Sequence, residues 1–293
     1  MSVIPQTVSR TPGRTGNWLS LKKILLLIAI VLVVLFSLAP VLWQLLTSFK
    51  VNEDIAAVPT VYFPKRFTFS HYIELFTRRP FWHYIFNSAF VSITSTALAL
   101  AVGAPTAYAL ARLRPWGERV ILASILIVTL FPGILLFLGL LEIIQALRLG
   151  NNYLSLIIPY TAINLPLTIL VLKSFFQQLP KDLEDSARVD GYNTFQLLWQ
   201  IVLPMTLPAL VTTGILTFIF AWNEFIFALT FMTREELKTI PVAAAQLGGA
   251  TVFEIPYGAI AAATVLGTLP LVLLVLFFQR RIVQGLTAGA VKG

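Results

Sequence analysis

The chain has 293 residues, of which 57% are hydrophobic and only 12% are charged, and its mean hydropathy is +0.84. Soluble domains carry about 25% charged residues, so this composition excludes an ordinary soluble protein and predicts an integral membrane protein. The net charge of +8 is not gathered into a basic face, which argues against a nucleic-acid partner and favours contact with anionic membrane lipid.

Residues 1–20 contain prolines and glycines and predict a flexible cytoplasmic tail, and residues 21–293 then form one membrane domain. Its apolar runs approach the ~20 residues that a helix needs to cross a ~30 Å hydrocarbon core, and lipid offers no partners for unpaired backbone groups. The first run is too long for a signal-peptide core and is expected to be retained. The sequence therefore predicts an all-α membrane protein whose six transmembrane helices cover approximately 21–47, 86–111, 120–141, 154–176, 206–231 and 257–278.

Lysine and arginine in the short connections predict the orientation of these spans. Of the 21 basic residues, 13 lie on the side that holds both termini and 8 lie on the other side. This bias predicts that both termini, and the polar connection at residues 177–205, are cytoplasmic. The longest outer connection, residues 48–83, is rich in proline and aromatic residues and is expected to form a packed cap, with the aromatics as interface anchors rather than a ligand site.

Polar or helix-breaking residues occur inside several spans. Pro132-Gly133 is expected to interrupt the third span and Pro166 the fourth, either as cavity-lining breaks or as simple kinks. Trp222, Asn223 and Glu224 lie in the fifth span, where a central acidic residue costs about 2.5–3.5 kcal/mol on insertion scales. Glu224 and its neighbours could line a translocation pathway, or a pair of Glu224 and Asn223 could tie the span to another helix or subunit. Asn164 on the fourth span carries a weaker form of the same pathway hypothesis.

Several kinds of chemistry are missing from the sequence. There is no phosphate-binding loop of the G-x-x-x-x-G-K-[ST] type, no H-E-x-x-H motif and no G-x-S-x-G motif. The two histidines, His71 and His83, both lie in the outer connection, and there is no cysteine to form a disulfide, a thiolate metal site or a thiol nucleophile. An enzyme is therefore not favoured, and no catalytic residue, metal site or cofactor is expected in this chain.

The polar segment from Leu183 to Pro204 interrupts two apolar runs. Pro180 suits the first turn of a helix, and the acidic residues near it favour a helix N-terminus. Helical spacing places four residues on one narrow face, and Gly191 can adopt the left-handed conformation that ends a helix. The segment predicts a short helix across the cytoplasmic side, then a second helical piece from Thr194 towards Pro204; the face consists of Leu183, Ser186, Ala187 and Asp190.

This segment resembles the EAA loop of binding-protein-dependent ABC importer permeases, whose pattern is E-A-A, three residues, G, nine residues and I-x-L-P. Asp185, Ser186 and Ala187 occupy the E-A-A positions and Gly191 the glycine position, and the ending is Ile201, Leu203 and Pro204. Asp and Ser depart from the pattern, and Glu184 is a candidate to supply the carboxylate one position earlier. Residues 177–205 are called the coupling segment below.

Other stretches are similar to the smaller permease subunit of the carbohydrate (maltose-type) importers: NSAF…TAYALAR, AWNEFIFALTF, TIPVAAAQLGG and the C-terminal QRRIVQGLTAGAVKG. The resemblance implies a type I ABC importer permease in a prokaryotic inner membrane, without enzymatic activity. Its implied partners are a second homologous permease, two cytosolic ATPase subunits that bind ATP and magnesium, and an extracytoplasmic sugar-binding protein. In that family the EAA helix docks on an ATPase, with Ser186, Ala187 and Gly191 suited to deep docking and Glu184, Asp185 and Asp190 to polar contacts. The C-terminal tail is a second candidate contact with the ATPases, through Gly285, Leu286, Thr287, Gly289 and Lys292.

Two other functions remain open from the sequence. A self-contained secondary transporter or channel could use Glu224 as its coupling group, and a membrane-embedded enzyme is improbable without catalytic clusters. The sequence does not identify the sugar or polyol, whether this subunit touches it, or the individual partner chains.

Overall fold

The computed structural model describes residues 18–130, 132–247 and 255–290. In that part of the chain the regular structure is helical, apart from one antiparallel β-bridge between Lys50 and Phe67. Residues 1–17 of the predicted tail lie outside the described residues. The α-helices are α1 (Trp18–Ser48), α2 (Asn52–Ile55), α3 (Ser70–Arg78), α4 (Phe81–Tyr108), α5 (Glu118–Leu130), α6 (Gly133–Ala146), α7 (Leu154–Gln178), α8 (Lys181–Val189), α9 (Thr194–Leu197), α10 (Leu203–Met205), α11 (Leu207–Asn223), α12 (Ile226–Phe231), α13 (Ile240–Ala245) and α14 (Tyr257–Ala290).

Four helical stretches of the described residues are long and apolar enough to cross a membrane: Leu21–Ser48, Phe81–Leu113, Leu154–Gln178 and Tyr257–Gln279. Two further pairs of helices satisfy the same criteria together and are bent, Glu118–Leu130 with Leu135–Ala146 by 98° and Thr194–Met205 with Leu207–Asn223 by 81°. If each bent pair is one span, the number reaches six. The predicted all-α, six-span fold is thus confirmed.

The proline breaks have different outcomes. The third span is interrupted as predicted, because α5 ends at Leu130 and α6 begins at Gly133 after Pro132. A break at Pro166 is wrong, because α7 continues through it, and a simple kink there stays a prediction. A proline removes one backbone hydrogen bond, and a membrane helix tolerates that loss where neighbouring helices and side chains support it. Here α7 packs along α4.

The fifth span has a different shape from the continuous run 206–231 that the sequence predicts. The 81° bend separates the end of the coupling segment from α11, whose 17 residues extend about 25 Å at ~1.5 Å per residue. The helix then breaks at Glu224 and Phe225 and resumes as the six-residue α12. The sequence showed no proline or glycine at this break.

The spans pack around α4, α7 and α11, and α14 packs against α11 and α1. The apolar side chains of α1 from Leu21 to Leu45 remain largely exposed. Polar side chains tie the two ends of this bundle to shorter elements. The coupling segment lies at the end where α4 finishes, and the outer cap, α13 and the start of α7 lie at the opposite end.

The outer connection forms the packed cap that the sequence predicts. Phe49 contacts the rings of Phe69 and Tyr72, with centroids 5.3 and 5.4 Å apart. His71 is buried, and its Nε2 lies 2.8 Å from the carbonyl oxygen of Lys50. A β-carbon at Gly258 would come within 2.2 Å of the His71 ring, so the glycine permits α14 to approach this cap.

Candidate coupling site and translocation pathway

Helix α8 is closed at its C-terminus by a Schellman motif. Gly191 has φ +86°, as its predicted left-handed role requires. The Gly191 N–H donates to the carbonyl of Arg188 at 3.1 Å, and the Tyr192 N–H donates to that of Ala187 at 3.0 Å. These bonds satisfy carbonyl groups that a helix end would otherwise leave unpaired, so α8 ends sharply.

The second helical piece of the coupling segment begins with a capping box. Asn193 Oδ1 accepts from the Gln196 N–H at 2.9 Å, and Gln196 Oε1 accepts from the Asn193 N–H at 3.0 Å. Helix α9 continues through a π-helical turn, Leu198–Val202, into α10. The predicted helical piece from Thr194 towards Pro204 is confirmed, and its backbone hydrogen bonds change locally from the α-helical to the π-helical pattern.

A buried ion pair joins α8 to the end of α4. Glu184 Oε1 lies 2.6 Å from Arg112 Nε, and the two side chains are 10% and 8% exposed. The Tyr108 hydroxyl donates to Glu184 Oε2 at 3.1 Å, and Arg112 Nη2 donates to the Leu179 carbonyl at 2.6 Å. The pair joins α4, the π-helical turn Ala109–Leu113 and Leu179, which lies two residues before α8. Arg112 Nε and Glu184 Oε1 are buried and form no hydrogen bond within the described residues, so their mutual attraction holds them and the loss of either charge would be costly.

The two carboxylates of the E-A-A region therefore face different ways. Glu184 is held inside this chain, whereas Asp185 is exposed and is the carboxylate available to a partner. Ala187 is 4% exposed because it packs in the apolar core beside Tyr108. The suggestion that Glu184 and Ala187 contact a docked ATPase is not supported by this placement. The other residues of the predicted face and ending divide as follows: Leu183, Ser186, Asp190, Gly191 and Pro204 are exposed, Ile201 is half-buried, and Leu203 is buried.

Glu224 acts within this chain as a helix cap. Its Oε1 accepts from the Phe227 N–H at 2.9 Å and its Oε2 from the Ala228 N–H at 3.2 Å, at the start of α12. The Tyr160 hydroxyl of α7 also donates to Oε2. Acidic groups stabilise helix N-termini, and the bond to Tyr160 ties the fifth span to the fourth. The predicted structural role, a tie to a neighbouring helix, is what the geometry provides, without the suggested pairing to Asn223.

The remaining pathway candidates are separated by burial. Trp222 is 3% exposed, stacks on Phe218, and donates its Nε1–H to the Gly267 carbonyl at 2.9 Å. Its ring is therefore closed to a solute. Asn164 is buried as well, whereas Asn223 is exposed on α11 and donates to the Ile219 carbonyl at 2.9 Å. Among the four pathway candidates, Asn223 is the one whose side chain is exposed.

A polar hub at the opposite end of α4 was not assigned from the sequence. Asn87 Nδ2 donates to the carbonyls of Glu236 at 2.8 Å and Lys238 at 2.9 Å, and the Tyr153 hydroxyl donates to Asn87 Oδ1 at 2.6 Å. The neighbouring Ser88 Oγ accepts from the Ile240 N–H at 2.8 Å. The NSAF stretch could have predicted this hub, because adjacent amide and hydroxyl groups in an apolar helix require hydrogen-bond partners. Partial burial of the Tyr153 hydroxyl raises its pKa above the usual value.

Glu235 lies beside this hub and has several donors. The Tyr84 hydroxyl donates to Glu235 Oε1 at 2.5 Å, Lys238 Nζ contacts Oε2, and Arg79 Nη1 lies 3.9 Å from Oε1. Burial acts to raise the pKa of this carboxyl, but the hydrogen bonds from Lys238 and Tyr84 and the two cations outweigh it. The pKa of Glu235 therefore lies below its usual value.

The C-terminal candidates lie at the end of α14 or beyond it. Gly285, Leu286, Thr287 and Gly289 belong to this helix, and Lys292 lies outside the described residues. Over the parts of the chain that the structure covers, no three His, Cys, Asp or Glu side chains are grouped to hold a metal ion.

Three known transport system permease proteins are similar in sequence to this chain over most of its length. The chain is 39% identical over 287 residues to the sulfoquinovosyl glycerol transport system permease protein of Agrobacterium fabrum, covering 98% of this chain and 99% of that protein. It is 40% identical over 262 residues to the trehalose transport system permease protein of Mycobacterium tuberculosis, covering 89% and 95%. It is 38% identical over 276 residues to the trehalose/maltose transport system permease protein of Thermococcus litoralis, covering 93% and 98%.

Among solved structures, a chain of a bacterial ABC transporter involved in the import of the acidic polysaccharide alginate matches with a TM-score of 0.79 at 22% identity. The match covers 92% of this chain and 99% of that one, so the fold is that of type I ABC importer permeases. Residues 99–288 match the family model described as the inner membrane component of binding-protein-dependent transport systems. With more than half of the chain matched by that model, the protein belongs to this family of multi-pass inner-membrane permeases.

Proposed function

We propose that the chain is the transmembrane permease subunit of an ATP-driven, binding-protein-dependent importer that carries a carbohydrate or related polyol into the cytoplasm. The observation that carries the proposal is the coupling segment: a short helix with an exposed Asp185 and Ser186, held rigidly to α4 by the Arg112–Glu184 pair. A partner protein that binds the exposed face of α8 can transmit its own movement to α4, because the ion pair fixes α8 to that span. The similar permeases named above are described as transporting trehalose, maltose or a sugar glycoside, which supports the solute class.

The partners follow from this role. Two cytosolic ATPase subunits would bind ATP and magnesium and contact the exposed face of α8, since no phosphate-binding loop occurs in this sequence. A second homologous permease would complete the membrane unit. An extracytoplasmic sugar-binding protein would deliver the solute at the end of the bundle opposite α8; an alginate importer has been solved in complex with its solute-bound periplasmic protein.

The absence of cysteine from the sequence makes site-specific crosslinking a direct test. Ser186→Cys places a single thiol on the exposed side of α8, and Ser70→Cys places a matched thiol on exposed α3 at the opposite end of the bundle. We expect a thiol-reactive crosslinker to join position 186, but not position 70, to the ATPase subunit of the purified importer. Labelling the two variants in spheroplasts with a membrane-impermeant maleimide also tests the orientation, since only position 70 should react from outside.

No crosslink from position 186 in an intact complex would contradict the assignment of α8. Uptake by this chain alone, without any ATPase, would instead favour the self-contained carrier.

The solute pathway is proposed to run along the open face of α11. Leu216, Phe220 and Asn223 are exposed at helical spacing, while other faces of α11 pack on α4, α7 and α14. An exposed amide at membrane depth is expensive against lipid, so this face is better placed against the second permease with the solute between them. Asn223→Ala should reduce uptake while leaving ATPase binding intact, and Leu167→Ala, at an exposed position of α7, is a control in another span. Unchanged uptake in Asn223→Ala would remove this residue from the pathway.

The solute itself is best identified through the delivery protein. Binding of a panel of mono-, di- and oligosaccharides and polyols to the cognate extracytoplasmic protein should reveal one tight class of ligand. Binding of amino acids or peptides alone would contradict the carbohydrate assignment without affecting the ATPase coupling.

A further inference from the structure

A cavity of about 220 Å³, with a few polar groups in a mainly apolar wall, opens at the outer end of α1, away from the coupling segment. It lies where α1, the outer cap and the first residue of α14 meet. Two aromatic rings, four residues with hydroxyl or charged groups from the cap and α1, and two aliphatic residues form its wall: Trp43, Thr47, Lys50, Asp54, Ile55, Thr60, Val61 and Tyr257. Aromatic residues at this depth mark the boundary between hydrocarbon and headgroups, so the cavity is at the level of lipid headgroups.

Two polar groups in this wall have hydrogen-bonding capacity to spare. Lys50 is 2% exposed, and its Nζ donates to the Val61 carbonyl at 2.7 Å and lies 4.0 Å from the centre of the Trp43 ring. Within the described residues it forms no ion pair. Thr47 is 8% exposed, and its hydroxyl has no hydrogen-bond partner there. A buried ammonium with three donors and a buried free hydroxyl together suit an anionic oxygen ligand.

A carboxylate lines the same cavity. Asp54 is 6% exposed, and its Oδ2 accepts from the Lys65 N–H at 2.9 Å. Burial lowers the pKa of Lys50 and the charge of Asp54 opposes that effect. A cation and an anion in one cavity, beside the Trp43 and Tyr257 rings, suit a ligand that carries both signs of charge.

An apolar groove continues from the cavity along the same two helices. It has a volume of about 310 Å³ and lies between α1 and α14. The cavity and the groove adjoin on α1, where Trp43 and Thr47 line the cavity and Gln44 and Leu45 line the groove, and on α14 the groove begins about two turns beyond Tyr257, at Thr264. Its walls are Pro40, Val41, Gln44, Leu45, Thr264, Val265, Thr268, Leu269 and Val272. Such a groove has the polarity of an acyl chain rather than of a sugar.

We propose that this cavity and groove together bind one zwitterionic phospholipid. The phosphate lies against Lys50 and Thr47, the headgroup ammonium faces Asp54 and the aromatic rings, and an acyl chain fills the groove between α1 and α14. The charges favour a phosphatidylethanolamine headgroup over phosphatidylglycerol, since the glycerol headgroup offers hydroxyls but no cation to Asp54. The bound lipid would hold the largely exposed α1 against α14.

Native mass spectrometry of the complex purified in mild detergent tests the proposal. We expect about one tightly held phosphatidylethanolamine for each copy of this chain. Thr47→Val removes the free hydroxyl without breaking a described hydrogen bond, and Lys50→Met removes the ammonium. Because each variant removes a hydrogen bond to the charged phosphate, each should retain the lipid at least about tenfold less well, which corresponds to ~1.4 kcal/mol. Lys65→Met is the matched control, since it removes the same charge from an exposed side chain of the same connection.

The groove is tested separately. Val265→Phe fills it and should displace the acyl chain, whereas Val128→Phe on exposed α5 should leave lipid retention unchanged. Retention of the lipid by Thr47→Val, Lys50→Met and Val265→Phe at the level of the unaltered protein would overturn the proposal. So would preferential retention of phosphatidylglycerol in mixed vesicles. A Thr60→Cys variant bearing a benzophenone should crosslink to phospholipid; crosslinking to the second permease would show that a protein occupies the cavity instead.

Discussion

Helix α4 is tied to distant parts of the chain at both of its ends, by a buried ion pair at one end and by hydrogen bonds from its neutral side chains at the other. At the α8 end, Arg112 and Glu184 form a buried ion pair. At the opposite end, Asn87 distributes hydrogen bonds to Glu236, Lys238 and Tyr153. A buried ion pair holds one geometry and penalises the loss of either partner, whereas several neutral bonds near an exposed segment can be replaced by water one at a time.

This difference fits the tasks that we propose for the two ends. The α8 end would transmit a movement from an ATPase, which requires a stiff joint. The opposite end orients the connection around Glu235–Leu237, where a delivery protein would dock, and its bonds can adjust. The comparison can be tested at each end by breaking a single contact.

The largest effect is expected at the ion pair. Glu184→Gln leaves the Arg112 charge buried and unpaired, so the free energy of unfolding should fall by about 3–5 kcal/mol. The purified importer should unfold at a lower temperature, and ATP hydrolysis should lose its dependence on the binding protein. Melting curves and stimulated hydrolysis in reconstituted vesicles measure the two effects.

A double variant separates charge from position at this joint. Arg112→Met with Glu184→Met removes both charges and should recover most of the stability, but not the stiffness needed for coupling. Glu118→Gln is the control: its pairing with Lys173 at 3.5 Å is more exposed, and its loss should cost less than ~1 kcal/mol. Equal destabilisation by Glu118→Gln and Glu184→Gln would remove the contrast between buried and exposed pairs.

A smaller effect is expected at Asn87. Asn87→Leu keeps the volume but leaves the carbonyls of Glu236 and Lys238 and the Tyr153 hydroxyl without this partner. The segment is exposed enough for water to replace some of these bonds, so we expect a loss of about 1–3 kcal/mol, with hydrolysis still coupled to uptake. Asn52→Leu, at an exposed position of α2, should be nearly neutral. If Asn87→Leu uncoupled the importer as strongly as Glu184→Gln, the two ends would not differ in the way proposed.

Gly191 tests whether the sharp end of α8 matters as well as its ion pair. No atom lies within 4 Å of a β-carbon built there, and φ is +86°, so Gly191→Val meets backbone strain of ~1–2 kcal/mol rather than a clash. We expect weaker coupling in Gly191→Val and near-normal coupling in Gly191→Asn, since asparagine tolerates the left-handed region. Binding-protein-stimulated hydrolysis measures both, and a normal rate in Gly191→Val would show that the strain is absorbed locally.

The smallest effect is a pH dependence at the Asn87 end. The folded-state pKa of Glu235 lies below its usual value, so its contribution is complete above ~4.3 and is lost as the pH falls through the lower folded-state value. The melting temperature should therefore fall more steeply under acid in the unaltered protein than in Glu235→Gln. Parallel curves for the two proteins from pH 7 to pH 3 would show that Glu235 contributes nothing to the acid sensitivity.

Much of the fold could be predicted from the sequence because its causes are local. Length and apolarity of the runs determine which segments cross a membrane, and Pro132 and Gly191 act on their own backbone, so the break in the third span and the end of α8 were both predicted. Pro166 shows the limit: whether a proline ends a helix depends on the neighbours that support it, and α4 is distant in sequence.

The sequence by itself determined the membrane class, the helical fold and the spacing of the coupling segment, because apolarity and backbone conformation are properties of neighbouring residues. Only the tertiary structure decided that Glu184 faces inward to Arg112 while Asp185 stays exposed, and that Glu224 caps α12 and bonds to Tyr160. Adjacent carboxylates look alike in a sequence. Which of them is buried depends on the donors that distant helices bring to it, and burying a charge without such donors is too costly to occur.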